Sequence, residues 1–113
     1  MDVLQQRLAE LRLRFASRTV EQVALLEQMA AAASESFDRD ALGKLAHSLA
    51  GACGTFGFPE VSCAAGTLED FIADNRSDAD VRDLAETTAR MLRQMICVMH
   101  TGQGDDELSR NIQ

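Results

Sequence analysis

Apolar residues recur every three or four positions along most of the chain, which is the spacing of amphipathic helices and not of strands. Asp2 is suited to cap a first helix, and a break is expected at residues 17–19. Thr19 and Gln22 fit a capping box for a second helix, although the first two helices can also form one bent helix. The apolar stripe of the first predicted helix consists of Leu4, Leu8, Leu11 and Phe15.

A third helix is predicted to begin at Asp38 or Asp40 and to end in the segment 54–58, where two glycines favour a helix stop. Its apolar stripe consists of Leu42, Leu45, Leu49, Ala52 and Phe56. Pro59 suits the first turn of a fourth helix. Ser77 with Asp80 fits a capping box for a fifth helix. Short connections between such helices predict an all-α, up-and-down antiparallel bundle over residues 1–100, followed by a flexible polar tail at 101–113.

Composition and charge narrow the class of protein. The chain has 113 residues, of which 46% are hydrophobic, enough for the core of one domain. Its net charge of −7 disfavours binding to nucleic acid or to an anionic membrane. No apolar run approaches the roughly 20 residues that span a bilayer, and the N-terminus does not resemble a signal peptide. A cytoplasmic protein is therefore expected.

The three cysteines, Cys53, Cys63 and Cys97, show no metal-ligand spacing. Cysteine often acts as a small buried hydrophobic residue, and all three are expected to be buried in this way. His47 and His100 also lack the helical spacing to carboxylates that marks a metal-binding bundle. The sequence therefore predicts no metal site.

His47 is the candidate for chemistry. Each helical residue advances by about 100°, so His47 lies about 200° from both Leu45 and Leu49. It is therefore predicted to project away from the core, toward solvent or a partner. This outward position on the helix is also compatible with an ordinary surface histidine.

The neighbours of His47 at helical spacings of three, four and seven are Asp40, Gly43, Lys44, Ala50, Gly51 and Gly54. Each glycine costs about 1 kcal/mol relative to alanine inside a helix. Gly54 is also explained by the end of the helix, Gly43 by an irregular first turn and Gly51 by close helix packing. Together the three glycines favour a face that another protein approaches.

The segment 46–58, Ala-His-Ser-Leu-Ala-Gly-Ala-Cys-Gly-Thr-Phe-Gly-Phe, followed by the pair Leu68-Glu69, resembles the signature of histidine phosphotransfer domains. The resemblance implies a four-helix bundle with an additional N-terminal helix. It also implies a phosphorelay function, in which His47 accepts a phosphoryl group from an aspartyl-phosphate on a receiver domain and passes it to another receiver. By the same resemblance, Gly51 leaves space beside the histidine. Glu69 is either an acid that orients the imidazole ring or a surface residue in a salt bridge.

One position departs from the family pattern. The family usually has lysine three residues after the histidine, and this chain has Ala50 there. A cation at that position attracts the phosphoryl group. Lys44, three residues before His47, is a candidate replacement, and a solvated surface lysine is the alternative. The face with Gly43, Lys44, Ala50, Gly51 and Gly54 is expected to bind the partner.

The expected partners are receiver domains of response regulators or of a hybrid sensor histidine kinase, bound by a monomer. The chain is expected to need no cofactor of its own, because the receiver supplies the Mg²⁺. No Gly-rich phosphate loop is present, so self-phosphorylation is not expected. The alternatives are a helical interaction module without phosphotransfer, the dimerisation and phosphoacceptor region of a histidine kinase, and a metal or redox bundle.

Overall fold

The computed structural model describes residues 2–102, with side chains up to Met99, and every regular element in this part of the chain is helical. The all-α prediction is thereby confirmed. Four α-helices are joined by short connections, the first of which contains a 3₁₀ helix at Ser34–Ser36. The α-helices are α1 (Val3–Ala31), α2 (Arg39–Thr55), α3 (Pro59–Ala73) and α4 (Asp78–Gly102).

Helix α1 merges the first two predicted helices into one helix of 29 residues. Asp2 caps it as predicted, accepting a hydrogen bond from the backbone N–H of Gln5 at 2.9 Å. The predicted break at residues 17–19 does not form. Thr19 is buried and donates its hydroxyl to the carbonyl of Phe15 at 2.6 Å, so it continues the helix instead of capping a new one. The additional N-terminal helix therefore does not form as a separate element in the described residues, because its residues are the first half of α1.

The start and end of α2 and the start of α4 lie at the predicted cap and stop signals. Asp38 caps α2 by accepting from the N–H of Ala41 at 3.0 Å. After α2 the chain turns at Gly57, whose φ of +86° is open to glycine and strained for other residues. At the start of α4, Ser77 accepts from the N–H of Asp80 at 3.1 Å. The reciprocal half of that capping box does not form, since the Asp80 carboxylate pairs with Arg76 at 3.3 Å.

Each helix packs against the next along the chain, and α4 closes the bundle by packing against α1. Because the connections are short, neighbouring helices run antiparallel. α2 packs most extensively on α3, and α1 on α4. The fully buried large side chains at the centre are Val23, Leu26, Leu42, Leu49, Leu68, Val81 and Leu92.

The buried stripe of α2 differs slightly from the predicted one. Leu42 and Leu49 are fully buried as expected, but Ala46 and Cys53 are buried with them. Leu45, Ala52 and Phe56 are half-buried. The buried face of α2 is rotated relative to the predicted stripe because α2 packs against α3 on one side and α1 on the other. Sequence periodicity does not specify the directions of these two neighbours.

Two of the three cysteines correct the expectation of burial. Cys53 lies in the core, whereas Cys63 on α3 and Cys97 on α4 are exposed. The first two residues of the predicted tail, 101 and 102, belong to α4, and residues 103–113 lie outside the described part of the chain. Among the helices that the structure describes, none has the length and hydrophobicity needed to cross a bilayer.

Phe58, just after the turn at Gly57, packs against the core at the junction of α2 and α3. It is half-buried against the core, and its ring stacks on Phe15 with centroids 6.4 Å apart. Phe15 also stacks on Phe56, at 4.4 Å. Aromatic rings contribute most when they are buried, so this cluster fixes the turn between α2 and α3 against α1.

Candidate functional site

His47 lies on the outer face of α2, with 76% of its side chain exposed. The helical phase predicted this exposure. Its Nδ1 atom is 2.9 Å from Oε2 of Glu69 on α3. The ring is therefore held by one side chain while its other nitrogen faces away from that contact.

Helix packing brings Glu69 to the histidine. Leu68, the preceding residue, is fully buried in the bundle core, and this fixes the rotation of α3 about its axis. The adjacent position 69 then lies at the border with α2, where its side chain is 40% exposed. Glu69 therefore contacts the histidine, and its role in orienting the ring stays a prediction.

The contact favours the tautomer with the ring proton on Nδ1. An ionised carboxylate only accepts hydrogen bonds, so Nδ1 of His47 must donate its N–H to Glu69. In the neutral ring, Nε2 then has no hydrogen and keeps its lone pair. The arrangement leaves an exposed nitrogen that can act as a nucleophile.

His47 and Glu69 line an open groove of about 610 Å³ between α2 and α3. Lys44 also lines it, with its ammonium group exposed and 3.8 Å from the carboxylate of Asp40. Ile72 contributes an apolar wall on α3. The groove thus combines an exposed imidazole, a cation and an apolar surface.

The three glycines near His47 have different surroundings. A Cβ atom added to Gly51 would meet no other atom within 4 Å, so this position faces open space. A Cβ at Gly43 would lie 3.7 Å from Ile72, and one at Gly54 would lie 3.2 Å from the hydroxyl of Ser62. Gly43 and Gly54 therefore lie beside α3, and only Gly51 leaves open space next to the histidine.

Ala50 also lies on the α3 side of α2. It is half-buried, and its carbonyl accepts a hydrogen bond from the hydroxyl of Ser62 at 2.7 Å. The residue that departs from the family pattern is therefore packed against the neighbouring helix. Lys44 precedes His47 by three residues and Ala50 follows it by three, so the two positions flank His47 on different sides of the helix face.

Sequence reasoning missed several residues of this surface. Arg39 and Ile72 line the groove with His47. Ser48 lines this groove and also a second one between α1 and α2, to which Arg14 and Arg18 contribute. The run of arginines in the first helix was the available signal, but only the packing of α1 on α2 shows which of them come near His47.

Metal ligation and thiol chemistry find little support in the described residues. In the part of the chain with described side chains, no three His, Cys, Asp or Glu residues come together as metal ligands would. Burial raises the pKa of the Cys53 thiol to about 11, which disfavours the reactive thiolate. The His47–Glu69 pair is therefore the best candidate for function.

Comparison with known proteins gives one match. The family model of the Hpt domain matches residues 2–97, which include all of α1 to α3 and most of α4. No curated protein and no solved structure matches the chain. Hpt domains are phosphocarrier modules of phosphorelays, and the match includes His47 and Glu69. The chain belongs to the Hpt domain family, as its residue pattern indicated.

Proposed function

We propose that the chain is a phosphorelay carrier in which Nε2 of His47 accepts a phosphoryl group from an aspartyl-phosphate of one receiver domain and passes it to another. The observation that carries this proposal is the exposed His47 ring, held by Glu69 at 2.9 Å within a chain of the Hpt family.

The transfer needs only one bond to form and one to break. The lone pair on Nε2 attacks phosphorus, and the bond between phosphorus and the aspartyl oxygen breaks, leaving a carboxylate on the receiver. The ring keeps its proton on Nδ1 and becomes a positively charged phosphoimidazolium. The carboxylate of Glu69 then stabilises that charge, so the same contact orients the nucleophile and supports the product.

Phosphoryl transfer depends mainly on positioning and on charge stabilisation. The receiver supplies its own Mg²⁺ and acidic pocket, so the proposal assigns no cofactor and no ATP site to this chain. Lys44 supplies a cation on the open side of the groove, where the transferred oxygens pass. The open space at Gly51 lets the receiver backbone come close to the ring. We assign the partner surface to the face with His47, Lys44 and Gly51, bordered by Gly43, Ala50 and Gly54.

The proposal describes a cytoplasmic monomer that contacts receivers of response regulators or of a hybrid sensor histidine kinase. Incubation with a panel of receiver domains, each phosphorylated with a small acyl phosphate, tests it. The wild type should acquire an acid-labile, alkali-stable label, and His47→Gln should acquire none. Because His47 is exposed, the substitution leaves the core intact, and circular dichroism should verify the fold. The same label on His47→Gln would contradict the assignment of the acceptor.

The competing function is a helical module that binds receivers without accepting phosphate. Ala50, in place of the usual lysine, is the observation that favours it. Calorimetry with unphosphorylated receivers separates the two functions. Receiver binding without any label on the wild type would establish the binding module. Binding together with a label on His47 would establish the carrier.

A further inference from the structure

The first half of α1 presents an apolar stripe to solvent. None of the described side chains before Phe15 is buried. Leu4, Leu8 and Leu11 are 65%, 48% and 46% exposed, and their spacing puts them on one face of the helix. From Phe15 onward the same face of α1 is buried in the bundle. The stripe formed by the three leucines is therefore an extension of the core that the described residues leave exposed.

The end of α4 points toward this stripe. Arg93 of α4 donates to Glu27 of α1 at 2.6 Å. Arg82, earlier in α4, donates to the carbonyl of Ala30, later in α1, at 2.7 Å, so the two helices run antiparallel. Helix α4 then continues past Arg93 to Gly102. Its end therefore lies near the start of the buried part of α1, and the chain that follows is directed along the exposed half.

The segment after α4, residues 103–113, is long enough to lie along that half. Residues 3–14 of α1 extend over about 18 Å, at 1.5 Å per residue. A segment of 11 residues covers about 16 Å as a helix and up to about 36 Å when extended. It contains two apolar residues four positions apart, Leu108 and Ile112, which is the spacing of Leu4 and Leu8. Length and pattern therefore fit the stripe.

A glycine between α4 and the two apolar residues allows them to face α1. In an unbroken helix, Leu108 would lie 16 positions after the buried Leu92. That is about 160° around the helix axis, so Leu108 would face away from the core. Gly104 adopts the backbone conformations that end a helix more readily than other residues do. A break at Gly104 lets Leu108 and Ile112 turn toward the stripe.

The two segments carry opposite charges. Residues 3–14 contain three arginines and one glutamate, a net charge of +2. Residues 103–113 contain Asp105, Asp106, Glu107 and Arg110, a net charge of −2. Arg12 forms no ion pair with any carboxylate of residues 2–99. Its charge is therefore available to an acidic partner.

We propose that residues 103–113 pack antiparallel along the first half of α1 in the same chain. Leu108 and Ile112 cover the leucine stripe, and the acidic cluster 105–107 lies beside Arg12. The contact continues the packing of α4 on α1 beyond the end of α4. It does not depend on phosphotransfer, so it can be tested whether or not the chain is a phosphate carrier.

Charge and covalent attachment favour this occupant over others. A second copy docked stripe to stripe would bring two positively charged helices together, which costs energy. An anionic membrane matches the arginines, but the net charge of −7 repels it. The segment 103–113 is acidic, and its attachment to α4 keeps it at a high effective concentration near the stripe.

A nitroxide spin label on the full chain tests the contact. The exposed cysteines are replaced by serine, and the label is attached to Ser109→Cys, because Cys53 is buried. Amide NMR signals of residues 5–12 should lose intensity, whereas those of residues 62–70 on α3 should not. The reciprocal label at Gln5→Cys should broaden the signals of residues 105–113. Absence of broadening in both directions would overturn the inference.

Two pairs of variants identify the side chains in the contact. Leu8→Ala should lower the ratio of docked to undocked molecules about 10-fold, the effect of removing one buried leucine, and Leu25→Ala should change it less than about 2-fold. Leu25 is the matched control because it is 43% exposed in the second half of α1. Arg12→Gln should lower the ratio about 2-fold, as expected for an exposed ion pair, while Arg90→Gln leaves it unchanged. Equal effects within either pair would contradict the assigned contact.

Mixing experiments separate the proposed occupant from the others. A ¹⁵N-labelled chain without a spin label is mixed with an unenriched chain that carries the label at Ser109→Cys. Unchanged signals in the mixture support packing within one chain. Broadening of residues 5–12 in the mixture would show that a second copy covers the stripe and would overturn the inference. Broadening absent within one chain, with shifts of the same signals on anionic vesicles, would also overturn it.

Discussion

Nδ1 of His47 lies 2.9 Å from Oε2 of Glu69, although the two residues are 22 positions apart and belong to different helices. The packing of α3 on α2 creates this contact. It favours the ring proton on Nδ1 and leaves the lone pair of Nε2 exposed.

Glu69→Gln should slow phosphotransfer by roughly 10-fold, because the amide no longer stabilises a positive ring and no longer enforces one tautomer. The ¹⁵N chemical shifts of the His47 ring should change from a single Nδ1–H form to a mixture of tautomers. Asp70→Asn, at an exposed neighbouring position, is the matched control and should change neither the transfer rate nor the ¹⁵N chemical shifts of His47. An unchanged tautomer in Glu69→Gln would show that the contact does not orient the ring.

Lys44→Gln should lower the rate of transfer by several-fold, since it removes the cation nearest His47 on α2. Adding Ala50→Lys to this variant should restore part of the rate by supplying a cation from the other side. Arg12→Gln serves as a control for net charge. Equal transfer rates for Lys44→Gln and the wild type would show that Lys44 is an ordinary solvated lysine.

Gly51→Ala should raise the free energy of unfolding by up to about 1 kcal/mol, because alanine favours the helix and its Cβ meets no neighbour. It should also slow transfer by narrowing the approach to His47. Gly66→Ala on α3 is the matched control, since its Cβ also meets nothing within 4 Å. Denaturant unfolding should show similar stabilisation of both variants, with slower transfer only for Gly51→Ala. Equal transfer by the two variants would contradict the role assigned to Gly51.

Glu27 and Arg93 should make stability depend on acid pH. Arg93 donates to Glu27 at 2.6 Å, and this hydrogen bond lowers the pKa of the carboxyl below its ordinary value of 4.5. A lowered pKa in the folded state stabilises the protein above pH 4.5, and the contribution is lost as pH falls through the lowered pKa. Thermal unfolding should show Glu27→Gln to be less stable than the wild type near neutral pH, and this difference should shrink on acidification. The control Glu86→Gln should have the stability of the wild type throughout. If the stability of the wild type and of both variants changed in parallel with pH, the Glu27–Arg93 pair would not contribute to the pH dependence.

Cys53 should react with a thiol reagent only when the bundle opens. Burial raises the pKa of its thiol to about 11, so the native protein disfavours the thiolate. The raised pKa of the buried thiol stabilises the folded state fully below pH 9.0, the ordinary pKa of cysteine. This stabilisation is lost as pH rises through about 11. At pH 8, Cys63 should be labelled quickly, while Cys53 should be labelled at the rate of unfolding. Labelling of both at one rate would contradict the burial of Cys53.

Much of the site could be predicted from local sequence. The exposure of His47 follows from its helical phase relative to Leu42 and Leu49, since the rotation per residue is a local property of the helix. The caps at Asp2 and Asp38 are also local, because the capping side chain bonds to the backbone three residues ahead. These features therefore need no knowledge of the other helices.

Tertiary packing decided the rest. Thr19 looked like a helix start, but burial against the bundle directs its hydroxyl to the carbonyl of Phe15 and keeps α1 continuous. Gly43 and Gly54 looked like Gly51 in the sequence, but only the position of α3 shows that they lie beside it. Local sequence was enough to specify the all-helical fold, the family pattern and the outward direction of His47. Only the packing of separate helices joined His47 to Glu69 and placed Arg14 and Arg18 beside Ser48, because these relations depend on how helices pack against one another.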